Sequence, residues 1–126
     1  MNNRDKPSQD AKTLTIILTR GPYVSEAADM AINTALRARR KGYNVNLFMY
    51  LDGAWVGHIK EEKDYNNPGE WLRWAVRKGV NVGACERCSD ARDLNADNVN
   101  EGIDICGSYR LMEWVKESHK VLTFGG

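Results

Sequence analysis

The sequence predicts an α/β domain, a single mainly parallel five-stranded sheet with helices on both faces. Three observations predict it. Short apolar, β-branched runs recur five times along the 126 residues. Stretches of helical period lie between most of them. Gly, Pro or Asn punctuates nearly every switch. Strands that alternate with helices pair in parallel and place the helices on the faces of the sheet.

The elements follow in order. Leu14 to Thr19 (LTIILT) reads as a strand buried on both faces. Arg20-Gly21-Pro22 breaks it, and Ser25 is a candidate N-cap. From Glu26 to Lys41, Ala28, Ala31, Ile32, Ala35 and Ala38 share one helical face. Arg37, Arg39, Arg40 and Lys41 load that helix's C-terminal end, where the dipole favours cations. Gly42 suits the left-handed position beyond it. Val45 to Tyr50 (VNLFMY) is the second strand. Leu51 to Asn66 has no clean period and reads as a long, partly helical loop.

Asn67-Pro68-Gly69-Glu70 reads as a helix start, with a capping Asn and Pro in the first position. That helix stops at Gly79. Val80 to Ala84 is the third strand, and the polar stretch from Ser89 to Gly102 contains some helix. Ile103 to Cys106 is the fourth strand. Tyr109 to Glu117 is a helix with Leu111, Met112 and Val115 on its apolar side. Val121 to Phe124 is the fifth strand. Residues 1–12 (MNNRDKPSQDAK) are polar, lack the apolar core of a signal peptide, and read as a flexible arm. Residues 13–126 then form the domain.

Composition narrows the function. A formal charge of +1 gives no electrostatic footprint for nucleic acid or an anionic membrane. No apolar run approaches the roughly 18–20 residues that span a bilayer. Three cysteines are an odd number, which argues against a closed disulfide framework. They fit a reducing cytoplasmic setting, with thiols kept for chemistry or metal. TRGPYVS follows the first strand, so a dinucleotide fingerprint and a phosphate-loop lysine are both absent. No cofactor and no resident metal are expected.

In an open α/β sheet, ligands bind beyond the carboxyl ends of the strands. Those ends carry Arg20-Gly21, Asp52-Gly53, Cys85, Gly107-Ser108 and Gly125. Gly21, Asp52, Gly53 and Gly107 are therefore candidate substrate contacts, and Trp55, in the irregular loop, is a candidate pocket wall or interface residue. Trp71, Trp74 and Trp114 fall on helices and read as packing. His58 reads as a solvated loop residue, with a sulfur-partner or base role as the alternative. His119 reads as a surface or helix-end cation.

Cys85 and Cys88, in ACERCS, are the candidate catalytic residues. A helix after Cys85 would turn its first amides toward the sulfur and favour the reactive thiolate, with Arg87 and Arg92 adding to this and Glu86 opposing it. Three readings stay open: a redox pair, half of a zinc site, or one working thiol with a neighbour. A zinc site wants four ligands. Cys106, His58 and His119 are the remaining donors, in no paired spacing. A thioredoxin-type centre lacks its later cis-proline, because Pro68 is the last proline. Cys106, within IDIC, reads as a core residue.

LTIILTRGPY followed by a helix and VNLFMYLDGAW is similar to the DsrE/TusD/DsrF-like sulfur-relay proteins. So is GVNVGACERCSDARDL followed by EGIDICGSYRLMEWVKESHKVLTFGG. The resemblance covers nearly all of the chain after about residue 12. It implies a subunit related to flavodoxin-like folds that assembles as homotrimers, homohexamers or hetero-hexamers. It also implies protein sulfur donors and acceptors, and a sulfurtransferase-like persulfide carrier whose working cysteine matches Cys85. Cys88 resembles the second cysteine of the C-x-x-C variants. The chain departs from the pattern at Glu86 and Arg87, where small or apolar residues often follow the active cysteine. It departs again at Cys106, where a small non-thiol residue is common.

Overall fold

The computed structural model describes residues 11–59 and 67–125. The expected arm over residues 1–12 lies outside the described residues except for Ala11 and Lys12, as does part of the loop expected over 51–66.

Five strands form one sheet: β1 Thr13–Leu18, β2 Asn44–Met49, β3 Asn81–Cys85, β4 Ile103–Cys106 and β5 Lys120–Phe124. Their spatial order is β4-β3-β2-β1-β5, and every pairing is parallel. The helices are α1 Ala27–Arg40, α2 Pro68–Arg77, α3 Glu86–Ala91 and α4 Ser108–Glu117, with a 3-10 helix over Leu51–Gly57. From β1 to β4 the chain steps in one direction, and β4 to β5 crosses back over the whole sheet. Right-handed crossovers therefore place α1 and α2 on one face and α4 on the other.

Alternation along the strands sorts the side chains between those faces. Leu14, Ile16, Leu18, Val45, Leu47, Met49, Val82 and Ala84 meet α1 and α2 in the larger core. The alanines of α1 have no bulk to hold the helix off the sheet, so Ala28, Ala31 and Ala35 are fully buried. On the other face Phe48 is fully buried and takes the Trp114 ring edge-on at 6.1 Å. Toward the strands' amino ends that face is polar. Asn81 donates to Asn46, Asn46 donates to Thr15, and Thr15 shares a 2.6 Å bond with Ser118 at the end of α4. Asn46 and Thr15 are buried, and this ladder satisfies them.

Local details differ from the sequence reading for identifiable reasons. Glu26, not Ser25, occupies the cap of α1, while the Ser25 hydroxyl accepts the Ala27 N–H at 3.2 Å. Asn67 does cap α2 with Pro68 behind it, but its side-chain oxygen accepts from the Tyr23 hydroxyl. Gly42 takes φ +97°, as a residue beyond a helix end does. In α4 the packing residues are Leu111 and Trp114, whereas Met112 and Val115 are 71% and 42% exposed. Apolar character alone did not reveal which side of α4 meets the sheet, because the outer stripe is apolar too.

Candidate thiol site

β3 ends at Cys85, which keeps extended backbone (φ −60°, ψ 125°) as the cap residue of α3. The helix begins at Glu86, so Cys88 falls one turn on, where residues three apart share a face. Cys85 is near enough to raise the Cys88 thiol. Cys106 closes β4 directly opposite Cys85 in the parallel register. Facing residues of neighbouring strands share a face of the sheet, so a third thiol joins the pair. All three cysteines are free and buried. Cys85 is common to both relationships: Cys88 follows it by one helical turn and Cys106 faces it across the sheet.

A cleft of about 940 Å³ opens at these strand ends, walled by Cys85, Cys88, Tyr50, Leu51, Gly107 and Ser108 and rimmed by Glu86, Arg87 and Arg92. Gly107 caps α4 and lines the same cleft as Cys85, so the starts of α3 and α4 both open on it. Leu51 adopts φ +55°, a left-handed conformation that costs a non-glycine residue about 1–2 kcal/mol. Its N–H donates to the Cys88 sulfur at 3.2 Å.

Burial pushes the Cys88 thiol above its ordinary range, and the neighbouring Cys85 adds to that. The Leu51 amide and the Arg92 guanidinium pull it back. Burial likewise raises the Cys106 thiol, with Asp104 reinforcing and Arg110 opposing. Arg92 ties the site together. It donates to the Cys88 carbonyl at 2.9 Å and grips Asp52 in the 3-10 helix.

The other sequence candidates distribute around this centre. Gly21, Asp52 and Trp55 wall a neighbouring cleft of about 390 Å³ with Arg20, Pro22 and Val24. Asp52 joins the two clefts through Arg92. Gly53 is buried where the 3-10 helix rests on β1: a Cβ there would lie 2.1 Å from the Leu18 carbonyl oxygen. His58 is not a free loop residue. It bridges to Val99 and sets its ring edge-on to Trp55 at 5.7 Å. His119 is exposed, and its Nδ1 accepts the Thr13 N–H at 2.9 Å, at the start of β1.

The residues that sequence reasoning missed are Leu51 and Cys106. Nothing local marks Leu51. Cys106 carried a signal, its place at the last position of a strand, but only the neighbouring of β3 and β4 gives that place meaning. No group of three or more His, Cys, Asp or Glu side chains is arranged to hold a metal among the described residues. No helix among them is long and apolar enough to cross a membrane.

Comparison with known proteins agrees with the architecture. A sequence model of the DsrE/DsrF-like family matches residues 12–124. An uncharacterized protein of Methanopyrus kandleri is 34% identical over 112 residues, covering 88% of this chain and 93% of its own. An uncharacterized protein of Methanocaldococcus jannaschii is 36% identical over 112 residues, covering 87% and 97%. The crystal structure of YchN from Escherichia coli superposes with a TM-score of 0.81 at 25% identity, covering 90% of this chain and 99% of that one.

Proposed function

The chain belongs to the DsrE/DsrF-like family, and on that premise we propose that it accepts sulfane sulfur as a persulfide on Cys85 and passes it to a protein acceptor. The observation that carries this reading is the placement of Cys85. It ends a strand on the wall of an open cleft where two helices start, with one thiol a helical turn on and another facing it across the sheet. A donor's outer sulfur enters the cleft, the Cys85 thiolate attacks it, and the donor leaves as a thiol. The product is Cys85-S-SH, and no net oxidation occurs. Backbone amides at the starts of α3 and α4 offer the terminal sulfur hydrogen bonds, as backbone nests do for other anions. Arg87 and Arg92, at the rim, favour the anion further. Three free cysteines suit a reducing cytoplasmic setting.

Assembly into a homotrimer or homohexamer is part of this reading. Tyr109, Met112 and Val115 leave an apolar stripe on the outer side of α4, and Val121 is exposed on β5. Such a stripe fits a contact between subunits.

Intact mass spectrometry after exposure to a persulfide donor tests the function. One added sulfur that vanishes in Cys85→Ser supports it, and loading unchanged in Cys85→Ser sinks it. A second reading, a Cys85–Cys88 redox pair, is favoured by the spacing that puts Cys88 one helical turn from Cys85. Loss of two hydrogens that requires both cysteines, with no sulfur gained, would put that reading first.

A further inference from the structure

We propose that Cys106 is a second, sheltered station for the sulfur, loaded only through Cys85; this rests on the persulfide reading above. Cys106 faces Cys85 across adjacent parallel strands, in register and on the same side of the sheet. Cys85 and Cys106 are each 5% exposed, but Cys85 lines the cleft and Cys106 does not. A donor in the cleft therefore meets Cys85, and Cys106 stands beside it on the next strand.

Reach decides which atom Cys106 attacks. Neighbouring strands are about 4.8 Å apart, and an added sulfur extends the Cys85 side chain by about 2 Å. The outer persulfide sulfur is thus the atom presented to Cys106. Cys88 differs, because it follows Cys85 by one turn of α3 and raises no question of reach across the sheet. Attack from there falls on the inner sulfur and expels sulfide.

Gly83 gives the Cys106 sulfur its seat: a Cβ at that position would lie 3.3 Å from the sulfur and 3.1 Å from the Trp114 ring. Arg110 and Asp104, paired at 2.8 Å, both act on that sulfur, in opposite directions.

The step balances without an oxidant or reductant. The Cys106 sulfur bonds to the outer sulfur of Cys85-S-SH. The bond between the outer and inner sulfurs breaks, and its electron pair stays on the Cys85 sulfur. That sulfur takes the proton that Cys106 gives up. The products are Cys85-SH and Cys106-S-SH.

The experiment loads wild-type protein with a persulfide donor, alkylates it at timed intervals and maps the added sulfur to individual peptides. Cyanide, which removes sulfane sulfur as thiocyanate, is then applied to the loaded protein. The expected result is sulfur on Cys85 first and on Cys106 later. Cyanide release should then run in two phases, the second roughly tenfold slower or more, a barrier difference of about 1.4 kcal/mol. Cys106→Ala should leave only the fast phase, and Cys85→Ser should abolish label at both positions. Sulfur confined to Cys85 at all times, with one release phase, overturns the second station and leaves the carrier reading standing. Sulfur on Cys106 in Cys85→Ser overturns the ordered hand-off. Absence of any sulfur that depends on Cys85 removes the carrier reading and the second station together. The wild-type mapping needs no variant, so a Cys106 substitution that fails to fold does not obscure the answer.

Discussion

Arg92 holds a single oxygen of Asp52 through two nitrogens, Nη2 at 2.8 Å and Nε at 3.0 Å, while its third nitrogen donates to the Cys88 carbonyl. One side chain thus fixes the end of α3 to the 3-10 helix. The Asp52 carboxylate is 63% exposed, so solvent screens the pair and its net worth is below about 1 kcal/mol. Arg92 also acts on the chemistry, lowering the Cys88 thiol that burial raises. In Arg92→Leu the melting temperature should move little. Alkylation of Cys88 at mildly alkaline pH, followed with Cys85 and Cys106 replaced by serine, should slow. An unchanged rate would show that the guanidinium does not act on that sulfur.

Stability should fall with rising pH through the thiol range. Cys88 and Cys106 hold their protons more tightly in the folded chain than an unfolded thiol does. The fold therefore binds more protons than the unfolded chain between the ordinary thiol value and the raised one. The stability from this source is fully present below the unfolded value. It is lost as pH rises through the folded values. Thermal unfolding measured from neutral pH into the alkaline range should show this decline, and Cys88→Ser with Cys106→Ser should flatten it.

Gly53→Ala should destabilise the chain by about 1–3 kcal/mol, the usual cost of overpacking. The new methyl would meet the Leu18 carbonyl at 2.1 Å, a backbone atom in the middle of the sheet that cannot step aside. The 3-10 helix must lift instead, and Leu51 with it. Urea unfolding reads the loss of stability. A midpoint like that of the parent would mean that the 3-10 helix is not seated so closely on β1.

Met112→Asp should shift the chain to a smaller species in sedimentation velocity while leaving the melting point of the isolated subunit unchanged. Met112 is 71% exposed and contributes nothing to the cores described here, so a charge there costs the subunit little. If the stripe of Tyr109, Met112 and Val115 is covered in an assembly, the same charge is buried without a partner. An identical sedimentation profile would remove this stripe from the assembly contact.

Much of this was legible from local pattern. LTIILT and VNLFMY announced strands through β-branched and apolar side chains, and the alanine spacing of α1 announced its buried face. Cys85 could be placed at a strand end, and hence near a cleft, without coordinates. The relationships across the sheet were not legible. That Cys106 faces Cys85 follows from β4 lying beside β3, a property of strand order that no window of sequence contains. The turn of Leu51 into left-handed backbone was hidden too, because leucine gives no sign of it. What holds Leu51 there is the seat of Gly53 on Leu18 together with the Cys88 sulfur that accepts its N–H. His119 is exposed, as a surface residue was expected to be, but its bond to Thr13 was hidden for a similar reason, since the two are 106 residues apart.

That last distance has a consequence for how the chain is built. Central strand β1 meets one neighbour, β2, across a separation of 31 residues and the other, β5, across 106. Closing the longer loop costs more chain entropy, and contacts between residues so far apart slow folding. The strands and the short helix that carry Cys85, Cys88 and Cys106 belong to the nearer half of this arrangement. Until β5 docks, β1 has an open edge of unpaired amides and carbonyls, a template for pairing with another chain. The thiol cluster can thus take shape in a molecule that is still unfinished on its far side. In that interval reactive sulfur and an unprotected strand edge would occur together, and a crosslink between chains would be the penalty for delay.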